Sequence, residues 1–535
     1  MRVRVKVNEQ GTLRNGRFAF SSKLALVVEL LQNARRAGAT QVVVTHDPSV
    51  RRLTVTDDGC GIADFQTLLT LNESGWVAEA VQAERPFGVG FFKCLYAAAH
   101  VRVTSRGRRL AFDCDEALAQ AQLDVVAAPE ADPGLTVVEL DGVELPTLDP
   151  QRMERLTRGY PVPVRFNGAD MARRHGVASI GFTATDIGLV HLAGRNSGRP
   201  SVGTVLYLQG QVLGDDERGY FGDCGGCDVI HLDPQRFAAR MPDRAELIDA
   251  DEQRQVIDEA VQRLWQQVLL DKKATLAPEA FVETYYEVTA RHDLLSVHDD
   301  LPLVPRQACL RVVGYPMAGG STETFLDGCD RHPSLEDVRG GVVRLMADTW
   351  ADQHESCAAM MFARAASLTL VYPDRLGSAH WAREGLQELV ASKIEVVAVG
   401  TTQERRFDGL YFGAAVRLCE AVELRYEGET VHIDDEALFH DGVIYYPDGC
   451  SNGAAVRQAC DYWTDEERLD EAACEDDAQD LMRFVRVLRC GGDASKLLQC
   501  LLREVPFSRH PLLSGRSFRV SLGADGAELA IELDP

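Results

Sequence analysis

The sequence predicts a multidomain α/β chain, and three observations predict it. Strand-like runs of alternating β-branched residues, such as Gln41 to Thr45 and Arg51 to Thr56, lie between stretches with helical apolar spacing, such as Leu24, Val27, Val28 and Leu31. At 535 residues the chain is too long for one ordinary core, so about two to four domains are expected. A composition of 45% hydrophobic and 26% charged residues describes a globular chain rather than a disordered one.

In chain order, Val3 to Val7 alternates like a strand, and a hairpin through Thr12 to Gly16 into Phe18-Ala19-Phe20 is expected. The next apolar run is a helix, with Ser21 or Ser22 available as its cap, and it contains Glu29-Leu30-Leu31-Gln32-Asn33. Residues four apart share a helix face, so the Glu29 carboxylate and the Asn33 amide point into one place. A carboxylate beside a neutral oxygen suits water activation next to a hard divalent ion. The second strand ends in Thr56-Asp57-Asp58-Gly59-Cys60-Gly61-Ile62, a turn whose glycines allow close backbone approach. A carboxylate at such a strand end can accept a hydrogen bond from an exocyclic amine. Pro86-Phe87-Gly88-Val89-Gly90-Phe91-Phe92 then runs into an expected helix from Lys93 to His100, a glycine loop of the kind that contacts phosphate. Each segment alone has an ordinary reading, as a surface Glu, a plain turn or a Gly-x-Gly. Their order and spacing together carry the information.

The stretch from Leu24 to Ala99 resembles the ATP-binding domain of the GHKL superfamily, which includes gyrase-type topoisomerases, ninety-kilodalton heat-shock chaperones, histidine kinases and MutL-type repair proteins. The resemblance implies an N-terminal two-layer α/β sandwich of the Bergerat type that uses ATP and Mg2+. It implies that Glu29 is the general base and that Asn33 holds magnesium against the phosphates. It further implies that Asp57 binds the adenine amine, with Gly59 and Gly61 shaping that wall, and that Gly88 and Gly90 contact phosphate. Asn72-Glu73-Ser74-Gly75 and the polar stretch to Arg85 stand where the family has its nucleotide lid.

Phe87-Gly88-Val89-Gly90-Phe91 and Asn72-Glu73-Ser74-Gly75 resemble the chaperone branch, whereas Ala37-Gly38-Ala39-Thr40 and Asp58-Gly59-Cys60-Gly61-Ile62 resemble MutL. Glu29 argues against a histidine kinase, whose relatives usually lack this base. Two positions depart from the pattern. Arg85-Pro86 replaces a glycine before the phosphate loop, and on the late strand Leu135 stands where relatives carry threonine. Thr136 is the remaining candidate for the adenine wall, and because adjacent strand residues face opposite ways, an outward Thr136 would lower adenine affinity.

Strands over Val101 to Ser105 and Leu110 to Asp113 are expected around Arg106-Gly107, then a helix from Pro150 to Tyr160 and a strand ending at Asn167-Gly168. These close a domain over residues 1–174. Residues 175–276 read as a smaller transducer-like α/β domain, with strands at Thr204 to Gln209, Gln211 to Leu213 and Val229 to Leu232 and a helix from Asp251 to Leu270. In relatives a second domain supplies a cation to the γ-phosphate. Arg244 in the loop Arg240-Met241-Pro242-Asp243-Arg244 is the candidate here, with Arg240 and Lys272 behind it. Residues 277–535 read as an α+β domain of unassigned role. Helices are expected at Leu335 to Trp350, Ser356 to Ala366, Trp381 to Ser392 and Asp465 to Arg503, and strands at Ile394 to Val399, Val422 to Tyr426, Val443 to Tyr446, Arg519 to Leu522 and Ala530 to Leu533.

The formal net charge of -25 argues against nonspecific binding to nucleic acid or to an anionic membrane. The opening segment (Arg2 to Arg52) is basic and the stretch Asp465 to Asp480 is acidic, an asymmetry that suits steering of a partner, a meeting of the two ends, or simply solvated faces of unrelated elements. No run approaches the roughly 20 apolar residues of a membrane span, and the opening Met1-Arg2-Val3-Arg4 lacks a signal-peptide core, so the cytoplasm is the expected compartment. Cys224-Gly225-Gly226-Cys227 is an isolated CxxC, a weak zinc signal. His332, His354, His380 and His440 show no ligand spacing. The function expected from the resemblance is an ATPase whose nucleotide cycle works a dimerisation or conformational switch on a protein client. The alternatives are a nucleotide-sensing scaffold with negligible turnover and a MutL-like DNA-associated ATPase.

Overall fold

The computed structural model describes the chain except for residues 1–2, 5–7, 20–22, 72–89, 146–147, 215–225, 241–245, 317–324, 347–355, 401–402, 465–467, 504–508, 524–528 and 534–535. It is a mixed α/β chain with several sheets, in two compact units, Met1–Leu294 and Leu295–Pro535.

The first unit opens with a helix, α1 (Glu9–Asn15), where the sequence suggested the loop of a hairpin. Asn8 explains the difference. Its side chain accepts the Gly11 N–H at 3.0 Å and its carbonyl accepts from the Thr12 hydroxyl at 2.9 Å, a local cap that starts the helix, while residues 5–7 of the expected strand Val3 to Val7 lie outside the described residues. Next come α2 (Ala25–Arg36), β1 (Val42–Asp47), β2 (Arg52–Asp57), α3 (Gln66–Leu69) and α4 (Phe92–Ala97). They are followed by β3 (His100–Ser105), β4 (Arg108–Asp113), α5 (Cys114–Leu118), β5 (Val125–Ala127), β6 (Thr136–Asp141), α6 (Pro150–Thr157), β7 (Val164–Phe166) and β8 (Ala169–Asp170). The eight strands form one sheet in the order β5-β4-β3-β6-β2-β1-β7-β8. All neighbours are antiparallel except the parallel pair β1 and β7.

Helix α2 buries Leu26, Val27, Leu30, Leu31 and Ala34, and these share one core with Val42, Val44, Leu53, Val55, Val103 and Leu140 of the sheet. The helix therefore lies on the sheet by its apolar stripe, leaving the Glu29 side as its flank. The N-cap is Leu24, with no side-chain cap bond, and Ser21 and Ser22 lie outside the described residues. Helix α4 is shorter than the sequence suggested, because His100 begins β3.

A second, five-stranded sheet follows, with β9 (Thr183–Thr185), β10 (Gly188–His191), β11 (Thr204–Leu208), β12 (Gln211–Leu213) and β13 (Asp228–Leu232) in the order β12-β11-β13-β10-β9. Two long helices, α7 (Ala250–Thr275) and α8 (Pro278–Arg291), complete the unit. The Tyr285 hydroxyl of helix α8 donates to the Arg195 carbonyl, in the loop after β10, at 3.0 Å, and the first compact unit runs to Leu294.

The second unit carries sheets of five, three and four strands and a terminal two-stranded hairpin, Phe518–Leu522 with Leu529–Leu533. Its most buried helix is Cys357–Ala365, with Cys357 through Ala363 all inside the core. Three expected helices are cut short. Among the described residues of Leu335 to Trp350, only Leu335–Arg339 is helical, because Gly340-Gly341 ends it and Val343–Leu345 joins a sheet. Trp381 to Ser392 is helical only over Ala382–Gly385, and Gln387–Glu388 pairs as a strand. Asp465 to Arg503 is two helices, Glu471–Arg489 and Ala494–Arg503, parted at Gly491-Gly492, where both residues have positive φ.

Candidate functional site

The β2 end of the sheet supplies the first wall. Antiparallel register places Asp57 opposite Thr136, and Thr136 opposite Ser105, so the three side chains form one row on the face covered by the helices. Val55, Val138 and Val103 continue that face inward as core, and Asp57 is where the core stops. Thr136 thus points inward, and Leu135 before it does not displace it from the wall. Its hydroxyl lies 3.0 Å from the fully buried Ser105 hydroxyl, whose oxygen also accepts the Ile62 N–H at 3.0 Å.

The adjacent acids have separate tasks. Asp58 accepts the N–H groups of Thr40 and Gln41 at 2.7 and 2.9 Å and the Thr40 hydroxyl, holding the turn to the end of α2. Those bonds hold its carboxyl below the usual range. Asp57 accepts one bond, from the Gly59 N–H to Oδ1 at 3.0 Å, and among the described residues its Oδ2 accepts none. Burial pushes the Asp57 carboxyl up, against the opposing pull of that N–H. Gly59 is required by close approach, since a Cβ there would lie 2.5 Å from the Ala37 Cβ and 2.9 Å from Asp57 Oδ1. Gly61 lies under the Arg106 side chain, which donates from Nε to the Cys60 carbonyl at 3.0 Å.

The flank of α2 supplies the second wall. Glu29, Asn33 and Arg36 succeed one another at spacings of four and three, so they share a helix face. Arg36 Nη1 lies 3.5 Å from Glu29 Oε1 and donates to Asn33 Oδ1 at 3.2 Å. From α4, Lys93 Nζ approaches Glu29 Oε2 at 4.0 Å. The charged side chains are nearly enclosed, with 9% of Glu29, 2% of Arg36 and 7% of Lys93 exposed. Gly90 completes this wall, because a Cβ there would stand 1.9 Å from Glu29 Oε1. At position 90 the backbone passes the carboxylate at a distance that leaves no room for a Cβ unless Glu29 shifts.

Sequence reasoning brought Glu29, Asn33, Asp57, Gly59, Gly61, Gly90 and Thr136 to this region, and it missed Arg36, Lys93 and Ser105. The signal for Arg36 was present in the same helical spacing, extended by one turn. Gly88, the lid segment 72–85, Arg244 and Cys224 lie outside the described residues. Arg240 pairs with Glu246 at 3.5 Å and Lys272 Nζ donates to Asn196 Oδ1 at 3.1 Å, so the contacts described for these two cations lie within the second region. Cys227 is buried. In the basic opening segment, Arg51 and Lys23 pair with Glu144 and Arg52 with Asp141.

A magnesium ion held by Asn33 does not fit this arrangement. The ion needs near-octahedral oxygen ligands at about 2.0–2.1 Å, and here the one side-chain oxygen Asn33 offers takes a guanidinium N–H. Among the described residues no group of three or more His, Cys, Asp or Glu could hold a metal, and no helix is long and apolar enough to cross a membrane.

Helix α2 is also tied to the second sheet. The buried Gln32 donates from Nε2 to the Gln209 carbonyl at 3.0 Å, and its Oε1 accepts from Arg35 Nε at 3.0 Å. Gln209 and Gly210, both with positive φ, form the β11–β12 turn. No family model and no curated protein matches the chain. The geometry of these two walls therefore carries the functional reading.

Proposed function

We propose that the chain is an ATPase of the GHKL type that binds ATP between the β2 end and the α2 flank and hydrolyses it. The observation that carries this reading is the Asp57 carboxylate, half-buried at the end of an in-register polar row, with Oδ2 accepting no hydrogen bond among the described residues. A carboxylate in that position matches the exocyclic amine of adenine and repels the carbonyl that guanine carries instead. In the reaction, a water molecule gives a proton to the Glu29 carboxylate as its oxygen bonds to the γ-phosphorus. The bond from that phosphorus to the β,γ-bridging oxygen breaks, leaving ADP and phosphate. The Gln32 to Gln209 contact provides the route by which events on α2 reach the second sheet, so the cycle acts as a conformational or dimerisation switch on a client protein.

A second reading, nucleotide sensing without turnover, is favoured by one observation: each Glu29 oxygen already faces a cation. Steady-state ATP hydrolysis by the full chain beside Glu29→Gln, with oligomeric state followed by light scattering, separates the two. Loss of turnover by about a hundredfold or more with ATP binding retained supports the hydrolase. Binding without turnover in both proteins supports the sensor.

A further inference from the structure

The conflict between Asn33 and a magnesium ion has a positive side. The place between Glu29 Oε1 and Asn33 Oδ1, where a hard cation shared by these oxygens would sit, is filled by the Arg36 guanidinium, 3.5 Å from the first and 3.2 Å from the second. The other carboxylate oxygen, Glu29 Oε2, faces a second cation, Lys93 Nζ, at 4.0 Å. These cations are resident and covalent. Arg36 is fixed to the site by the helix spacing that places Glu29 and Asn33 there, and Lys93 stands in the first turn of α4, directly after the Gly90 loop.

Both side chains are almost wholly enclosed, and charge-assisted hydrogen bonds formed away from water are the strong ones. A guanidinium presents a planar fork that matches two phosphate oxygens, and an ammonium presents a compact point charge. Together they supply what a divalent ion supplies to a polyphosphate, namely charge neutralisation at fixed points. An ion entering beside them would meet like charge instead of open ligands.

Resting on the nucleotide reading above, we propose that Arg36 and Lys93 are the site's own counter-cations for the nucleotide polyphosphate, so that ATP binding to this chain does not require a divalent metal ion. Glu29 exchanges its cationic partners for a water molecule as the phosphates take them over. The adenine wall at Asp57 has no part in this exchange, and binding of a nucleoside without phosphates is independent of both cations and of metal.

The test is calorimetric titration of the full chain with ATP and separately with adenosine, each in excess EDTA and in excess Mg2+, for the wild type, Arg36→Gln and Arg36→Asp. The wild type should bind ATP in EDTA within about threefold of its affinity in Mg2+, a difference below one charge-assisted contact. Arg36→Gln keeps a hydrogen-bonding side chain without the charge and should weaken ATP binding in EDTA by about ten- to a hundredfold. Arg36→Asp should lose at least as much in EDTA and recover part of it in Mg2+, because two carboxylates and an amide then form an oxygen site. Adenosine affinity should hold in both variants, which also reports that the fold is intact. A wild-type ATP affinity that collapses in EDTA, or an Arg36→Gln variant that binds ATP in EDTA as the wild type does, overturns the proposal. If the wild type binds neither ATP nor adenosine under any condition, the nucleotide reading fails first, and the adenosine titration makes that failure distinct.

Discussion

The Asp57 wall and the Glu29 wall, the two sides of the proposed nucleotide site, are positioned by different means. Asp57, Thr136 and Ser105 come from three strands far apart in sequence and meet because the ladder register leaves no other pairing. A slip by one residue would turn all three out of the row and their apolar neighbours with them. Glu29, Asn33 and Arg36 come from two turns of one helix, and their mutual geometry needs nothing but helix periodicity. The first wall is therefore held by the whole sheet, whereas the second is open to change by single substitutions on the helix flank. The Asp57 end is thus fixed by strand register, while the Glu29 end carries two cations, Arg36 and Lys93, beside its carboxylate.

The comparison can be broken at either wall. The largest effect is expected from Gly90→Ala, which would place a Cβ 1.9 Å from Glu29 Oε1. It should cost about 1–3 kcal/mol through forced displacement, read by chemical denaturation, and should lower ATP turnover more than ATP affinity. Unchanged stability and turnover would mean that the Glu29 side chain gives way to the added methyl without loss. A smaller effect is expected from Thr136→Val, which keeps the shape but removes the hydroxyl beside Ser105. The expected loss is about 1 kcal/mol of stability, with ATP affinity reduced less than by a change at Asp57. If Thr136→Val cost as much affinity as removing the Asp57 charge, the wall would not be centred on the carboxylate.

Much of the first unit was legible because its signals are local and repeated. The stripe of α2, the alternation of β1 and β2, the Arg106-Gly107 turn and the Asn167-Gly168 turn each coincide with an observed element. Thr136 was harder to place, since its orientation depends on pairing with β2 and β3 and not on its own neighbours. Arg36 is legible in spacing, but an arginine in the last turn of a helix suits the helix dipole equally well. The second unit was read least well. There, short apolar runs at Leu335 and Trp381 look helical by period, yet glycines and β-branched residues cut them, and tertiary pairing draws the next residues into strands. At the start of the chain, the expected turn from Thr12 to Gly16 falls largely in a helix that the single Asn8 cap begins.

The central claim is that Asp57 selects adenine, and competitive titration of ATP against GTP on the full chain and on Asp57→Asn tests it most directly. The wild type should prefer ATP by about tenfold or more, and the variant should lose about ten- to a hundredfold in ATP affinity with that preference narrowed. Equal affinities for ATP and GTP in the wild type, or an ATP affinity untouched by the substitution, would contradict it.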